Sequence, residues 1–355
     1  IEICGFPEKI VHLLLEILYQ AGLLTKVDPS KGIFAFNHTK IQQVALFLDI
    51  PGFDFNHEEL HFNIAQYKIA KGKTQSSLEL NQLVDHLMKA KGLYSKNTAL
   101  QALEYVIKAA EAANDSNSPI TANAYLSFGL SLSRQFNISK HQFALLLGLA
   151  KTQFLLDDVD KGNALAKKAM AQARSDLQKI ETLLMCMKFY EVYAHYEDNI
   201  NAGLKALELL GKGFKDILNN GVLESLIQRE YLSLIAMIEQ IPINELVPTE
   251  QMEDHDDLIF MEVLANMSSS ALFNNQDLYP LIVLKMVNHS LKKGITDSTS
   301  LALVHLGSLL ISRYGKFDLG LKFGNEGVIL AEKLKSDRYK TRTISIFYNL
   351  TGHFR

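Results

Sequence analysis

From position 56 to the end of the chain, apolar residues recur at three- and four-residue intervals. That spacing places them on one face of an α-helix. It predicts helices over residues 57–71, 77–90, 97–113, 121–134, 141–156, 161–174, 177–195, 201–218, 222–239, 256–272, 278–293, 299–313, 317–334 and 338–353. Asn56 with Glu59 reads as a capping box at the first of these. Strand patterns are scarce after Pro51. Such a run of helices predicts an all-α fold, a superhelical TPR-like array of helix pairs over 56–355.

The first 55 residues have different punctuation. Pro7 opens a helix with Ile10, Leu14, Leu15 and Leu18 at helical spacing, and Gly22 is a natural stop. Leu23-Leu24 leads to the turn cluster Asp28-Pro29-Ser30-Lys31-Gly32, and Ile33, Phe34 and Phe36 read as a short strand. A further helix follows over 39–48, with Ile41, Ala45 and Leu48 on one face, and Pro51-Gly52 ends it. This order predicts a small winged-helix element over 1–55.

A weak internal repeat supports the array. Ala202-Gly203-Leu204-Lys205-Ala206 reads as following a turn after Phe189, Tyr190 and Tyr193. Leu319-Gly320-Leu321-Lys322-Phe323 follows Tyr314-Gly315-Lys316-Phe317 in the same way. The offset of 117 residues equals three repeats of about 39, a helix-pair length. Asn163-Ala164-Leu165-Ala166 falls about one repeat before Gly203. Ile241-Pro242 and Val247-Pro248 break the repeat expected near Ile243. Small residues at these places let the second helix of a pair approach the first. A non-repetitive helical domain is the alternative.

Composition narrows the function classes. A chain of 355 residues, 48% hydrophobic and 21% charged, is long enough for a large core. A net charge of -3 gives no electrostatic case for nucleic acid or an acidic membrane surface. In the expected second helix of the winged element only Lys40 is a base-seeking cation, so DNA binding is not expected. Cys4 and Cys186 lie far apart and form no metal or disulfide framework, which points to a reducing, cytoplasmic setting. No apolar run approaches the roughly 20 residues of a membrane helix, and no secretory signal pattern is read. A start at Ile1 and an end in a helical pattern read as a segment cut from a longer chain.

The sharpest chemical motif is His57-Glu58-Glu59-Leu60-His61, which fits H-E-x-x-H. On a helix its two histidines lie one turn apart and suit Zn²⁺, with Glu58 as general base. Ile64 and Tyr67 occupy the glycine and third-histidine places of the extended motif, and Asn81 stands where a distal glutamate belongs. Glu79 and His86 are nearby substitutes that no pattern selects. Gly72-Lys73-Thr74 ends like a P-loop, but Tyr67 replaces the first glycine and a helix precedes it, so no Walker A is read. Glu253-Asp254-His255-Asp256-Asp257 reads as a solvated loop running into a helix N-terminus. Met185, Met187, Phe189, Tyr190 and Tyr193 have helical spacing and read as core.

The stretch from Leu278 to Lys333 shows two amphipathic helices and a glycine turn. It resembles the helical-repeat region of large multidomain signalling ATPases, closest from Leu281 to Gly324. Those proteins join a Ser/Thr-kinase-like domain, an ATPase, helical repeats and a sensor histidine kinase or cyclase. Leu60-His61-Phe62-Asn63-Ile64-Ala65, Leu83-Val84-Asp85-His86-Leu87 and Ala99-Leu100-Gln101-Ala102-Leu103-Glu104-Tyr105 look like the family's earlier segments in the same order. Phe36-Asn37-His38-Thr39-Lys40-Ile41-Gln42-Gln43-Val44-Ala45 is similar to the last helix of its winged domain, with Thr39 where the family has Asp.

The resemblance implies a noncatalytic regulatory arm whose winged helix follows a nucleotide-binding core upstream of this chain. It implies that His38 contacts the phosphates of nucleotide held in the intact parent. ATP or ADP would belong to that parent, with no cofactor, metal or catalytic residue in this segment. The expected partners are that core and a protein or small-molecule signal in the groove of the array. Two other readings stay open: a free-standing TPR-like interaction module, and a zinc hydrolase through His57, Glu58 and His61.

Overall fold

A computed structural model of the chain describes residues 7–42, 56–72, 76–90, 92–214, 220–239, 243–334 and 337–352. Among the described residues the fold is almost wholly helical, with sixteen α-helices and one two-stranded sheet. None of these helices is long and apolar enough to cross a membrane. The chain divides into two compact units, 1–162 and 163–355.

The first unit opens with α1 (Glu8–Gln20), β1 (Leu24–Asp28) and β2 (Ile33–Phe36). The strands pair antiparallel, Leu24 opposite Phe36 and Lys26 opposite Phe34. Sequence reading placed only the second strand; the first, with Lys26 and Asp28 inside it, lacks an apolar run. At the turn Asp28 accepts a hydrogen bond from the Ser30 amide at 3.1 Å, and Gly32 takes φ +64°. A helix begins at Thr39–Gln42; the rest of the expected 39–48 helix lies outside the described residues.

Five helices follow in this unit: α2 (His57–Ala70), α3 (Ser77–Lys89), α4 (Lys96–Asp115), α5 (Pro119–Gln135) and α6 (Gln142–Leu155). Each of α2 to α5 packs on its successor, and α3 and α4 also touch the helix after next. The seam is built from small and aliphatic side chains: Ala65, Leu83, Leu87, Ala102, Leu103, Val106, Leu126 and Leu145 are all buried. Gly129 on α5 lets the helices close up, since a Cβ there would lie 2.8 Å from Leu145 and 2.9 Å from Val106.

The helix ends share one device. Asn117, Asn137 and Asp157 each take a left-handed φ, at +56°, +51° and +61°, two residues past α4, α5 and α6. In each case the next amide reaches back to a carbonyl five residues earlier, as Ser118 does to Ala113 at 2.8 Å. This is the Schellman closure, made here with asparagine and aspartate in the usual place of glycine.

Helix α7 (Val159–Gln172) carries the boundary between the units. In the second unit α8 (Asp176–Val192) packs on α9 (Tyr196–Leu209), and both pack on α12 (His255–Asn274). Helix α10 (Asn220–Ile238) packs instead on α13 (Tyr279–Lys293), and the short α11 (Ile243–Leu246) touches α10. Sequential order is thus lost around the prolines that break the repeat. Helix α14 (Thr299–Tyr314) lies against α13, α15 (Phe317–Leu334) and α16 (Asp337–Ile346). Its residues from Thr299 to Ile311 are all buried, as are most of those in α13. The amphipathic pattern read from this stretch holds in α15, which buries one stripe of Gly320, Phe323, Gly324, Gly327, Leu330 and Ala331, while α14 is enclosed on every face and forms a core helix.

Predicted and observed helices agree to within a few residues except twice. The span 201–218 is replaced by α9, which starts with Tyr196-Glu197-Asp198 and ends before Gly211 at φ +71°. The last helix passes into a π turn at Phe347–Thr351. Gly203 consequently sits mid-helix in α9, while Gly320 sits in the first turn of α15, so the two proposed repeat copies are out of phase. Both glycines permit close packing. A Cβ at Gly203 would lie 2.3 Å from the Met267 sulfur, and one at Gly320 2.6 Å from the Gly307 carbonyl oxygen.

Candidate functional site

The H-E-x-x-H segment forms the start of α2. Asn56 caps it by accepting from the Glu59 amide at 3.2 Å. His57 and Glu58 are exposed in this first turn, and His61, one turn on, is half-buried. Opposite stands α3, fixed by a reciprocal capping box between Ser76 and Glu79 and by buried Leu83, Val84 and Leu87. That box engages Glu79. It leaves His86 as the substitute that faces the motif.

His61 and His86 meet across the two helices, Nδ1 to Nδ1 at 2.8 Å, with ring planes tilted by 43°. Lys68 and Gln82 pair farther along at 3.0 Å, so α2 and α3 run antiparallel. Beside the histidines a cleft of about 540 Å³ is lined by His57, Glu58, His61, Asp85, Met88 and Lys89. Asp85 accepts a hydrogen bond from the Tyr125 hydroxyl at 3.2 Å, which ties the cleft to α5.

Burial dominates the electrostatics of the pair. It pushes the His86 imidazole down to about 4, helped by His61, Lys68 and Lys89. Burial also lowers His61, with Lys89 and His57 adding to the effect. Both rings are therefore neutral near pH 7, the form that offers a lone pair. Among the described residues no three His, Cys, Asp or Glu side chains converge as a metal cage. His61 turns its Nδ1 to α3, and its Nε2 makes no part of that contact.

The other sequence candidates lie apart. His38 is exposed at its helix start, where its Nδ1 accepts from the Lys40 amide at 3.1 Å. Gly72 ends α2 at φ +64°, and residues 73–75 lie outside the described residues. In the second unit Cys186 is buried, and burial pushes its thiol up to about 11, as expected of an inert core cysteine. Cys4 is outside the described residues. Met187 is fully buried, while Met185, Phe189, Tyr190 and Tyr193 are half-buried.

The acidic run needs one correction. Asp254 does cap α12, accepting from the Asp257 amide at 2.9 Å. Asp257, however, is buried, not solvated. It hydrogen-bonds to Lys212, lies 3.0 Å from His289 Nε2 and 3.8 Å from Lys293 Nζ. Burial raises its carboxyl, but Lys212, His289 and Lys293 outweigh that and hold it below the usual range. Its partners come from 32–45 residues away, beyond what local pattern reveals. Sequence reading also missed His305, fully buried on α14. Its setting inside an apolar run was the available signal.

No protein-family model matches this sequence. A search of curated proteins likewise returns no relative.

Proposed function

We propose that this chain is the noncatalytic regulatory arm of a signal-transduction ATPase. In this reading a TPR-like array over 56–355 binds a protein partner or a small-molecule signal in its groove. The winged-helix element over 1–55 passes that event to a nucleotide-binding core outside this chain. The observation that carries the reading is the packing order of α2 to α6, each on its successor. Stacked helix pairs supply extended surfaces suited to such ligands. The link to an ATPase rests on the sequence resemblance.

His38 is the coupling residue of the proposal. It stands at a helix start, where backbone N–H groups favour an anion. The test is His38→Ala in the intact parent, read by nucleotide affinity and signalling output. Loss of either supports the coupling; both unchanged removes it. A free-standing interaction module shares the helical observation. The open reading frame on either side of this segment separates the two: a Walker A motif upstream supports the ATPase reading, and its absence supports the module.

A hydrolase reading is favoured by a different observation, the shared cleft of His57, Glu58 and His61. It is tested by peptidase assay of wild type against Glu58→Gln. Activity lost in the variant would overturn the noncatalytic assignment.

A further inference from the structure

The contact between His61 and His86 bears on metal chemistry in a way that the H-E-x-x-H motif does not. Two imidazole nitrogens bound to one tetrahedral Zn²⁺ at 2.0–2.1 Å stand about 3.3 Å apart. The two Nδ1 atoms here are 2.8 Å apart. An opening of about 0.5 Å, with a turn of each ring by roughly 35° that aims both lone pairs at one point, converts the contact into a chelate.

The protonation balance is also favourable. In a neutral pair one ring carries its proton on Nδ1 and donates it to the other. Moving that proton to Nε2 of the same ring exposes both Nδ1 lone pairs. The pair gains and loses no proton in doing so, and the metal brings the only new charge.

The surroundings supply access and rigidity. Both histidines are half-buried beside a cleft of about 540 Å³, through which an ion and further ligands can enter. Glu58 and Asp85 place carboxylates on its wall, and His57 lies one turn from His61. Lys89 and Lys68 oppose a cation, and the carboxylates offset them. The ligands ride on two packed helices, one held by a full capping box.

We infer that His61 and His86 form a two-imidazole site for a late first-row divalent metal ion, bound through Nδ1 of each ring with its remaining positions open to water or an incoming donor. Imidazole nitrogen suits Zn²⁺, Ni²⁺ and Cu²⁺. The site is independent of the regulatory reading, and its helix-bridging ligand pair differs from the His57 and His61 pair of a zincin.

The experiment is titration of the tag-free 355-residue chain with Zn²⁺ by calorimetry, beside His61→Ala, His86→Ala and His57→Ala, with helicity checked by circular dichroism. One equivalent is expected to bind wild type, at least tenfold more weakly to His61→Ala and to His86→Ala. A wild type that binds no Zn²⁺ overturns the site. So does binding that survives His86→Ala but falls with His57→Ala, which would assign the zincin pair. Long-range ¹H–¹⁵N spectra of the wild-type imidazoles need no variant. Zn²⁺ should shift the Nδ1 resonances of both His61 and His86; unmoved resonances overturn the proposal even if a variant misfolds.

Discussion

The Tyr279 hydroxyl on α13 and Nδ1 of His305 on α14 lie 2.9 Å apart, with both side chains buried. Burial, reinforced by Arg342, pushes the His305 imidazole down to about 3. An unfolded histidine titrates at about 6.5. The unfolded chain thus takes up a proton that the folded chain refuses, so stability is full above the unfolded value and drains as the pH falls through the window below it. From pH 7 to 4 this one group is expected to remove about 3 kcal/mol. Urea denaturation across that range should show a shallower slope for His305→Asn than for wild type. Coincident slopes would dismiss His305 as the group responsible.

Helices α14 and α15 touch through backbone. A Cβ at Gly307 would lie 2.6 Å from the Gly320 carbonyl oxygen, and one at Gly320 the same distance from that of Gly307. Main-chain oxygen cannot swing aside as a flexible side chain can. Gly320→Ala is expected to destabilise by about 2–3 kcal/mol through overpacking. The shift in denaturant midpoint measures it, and a neutral result would mean that the helices slide apart easily.

Ala194 holds φ +57° at the end of α8, and the His195 amide bonds back to the Tyr190 carbonyl at 2.8 Å. A side chain in that conformation costs roughly 1–2 kcal/mol, which exceeds the entropy glycine adds to the unfolded chain. Ala194→Gly is therefore expected to stabilise by up to about 1 kcal/mol. A melting temperature that falls would contradict the strained closure.

The Asp257 carboxylate is matched by Lys212 and His289. Replacing it by Asn leaves the Lys212 ammonium facing a neutral group in a buried site, an expected loss of about 2–3 kcal/mol. The double variant Asp257→Asn with Lys212→Met should recover part of that loss, since the two side chains act as a pair. Strict additivity of the two changes in a double-mutant cycle would show that they do not.

Helix positions were legible because burial and period coincide in this chain: α2, α3 and α13 to α15 begin within one residue of their predicted starts. Helix ends were harder. Asn137 and Asp157 close helices in a conformation that glycine usually signals, so local pattern gave no marker. The start of α9 was displaced although Glu197 and Asp198 offered the acidic first turn of a helix. At the cleft, His57, Glu58 and His61 were visible as a motif. The choice of His86 over Glu79 was not, because it depends on which side chain the Ser76 cap engages and which faces α2.

The two units should come apart by different routes. In α2 to α6 each helix leans chiefly on its neighbours, so loosening can begin at an end and advance helix by helix. Around α14 the logic is reversed. A segment wrapped on all sides has no stable place until its wrapping exists, and none once any layer of it leaves. Native-state hydrogen exchange would then show a staircase of opening energies in one half and a single step in the other. Shortening this protein by a helix would trim the first half and abolish the second.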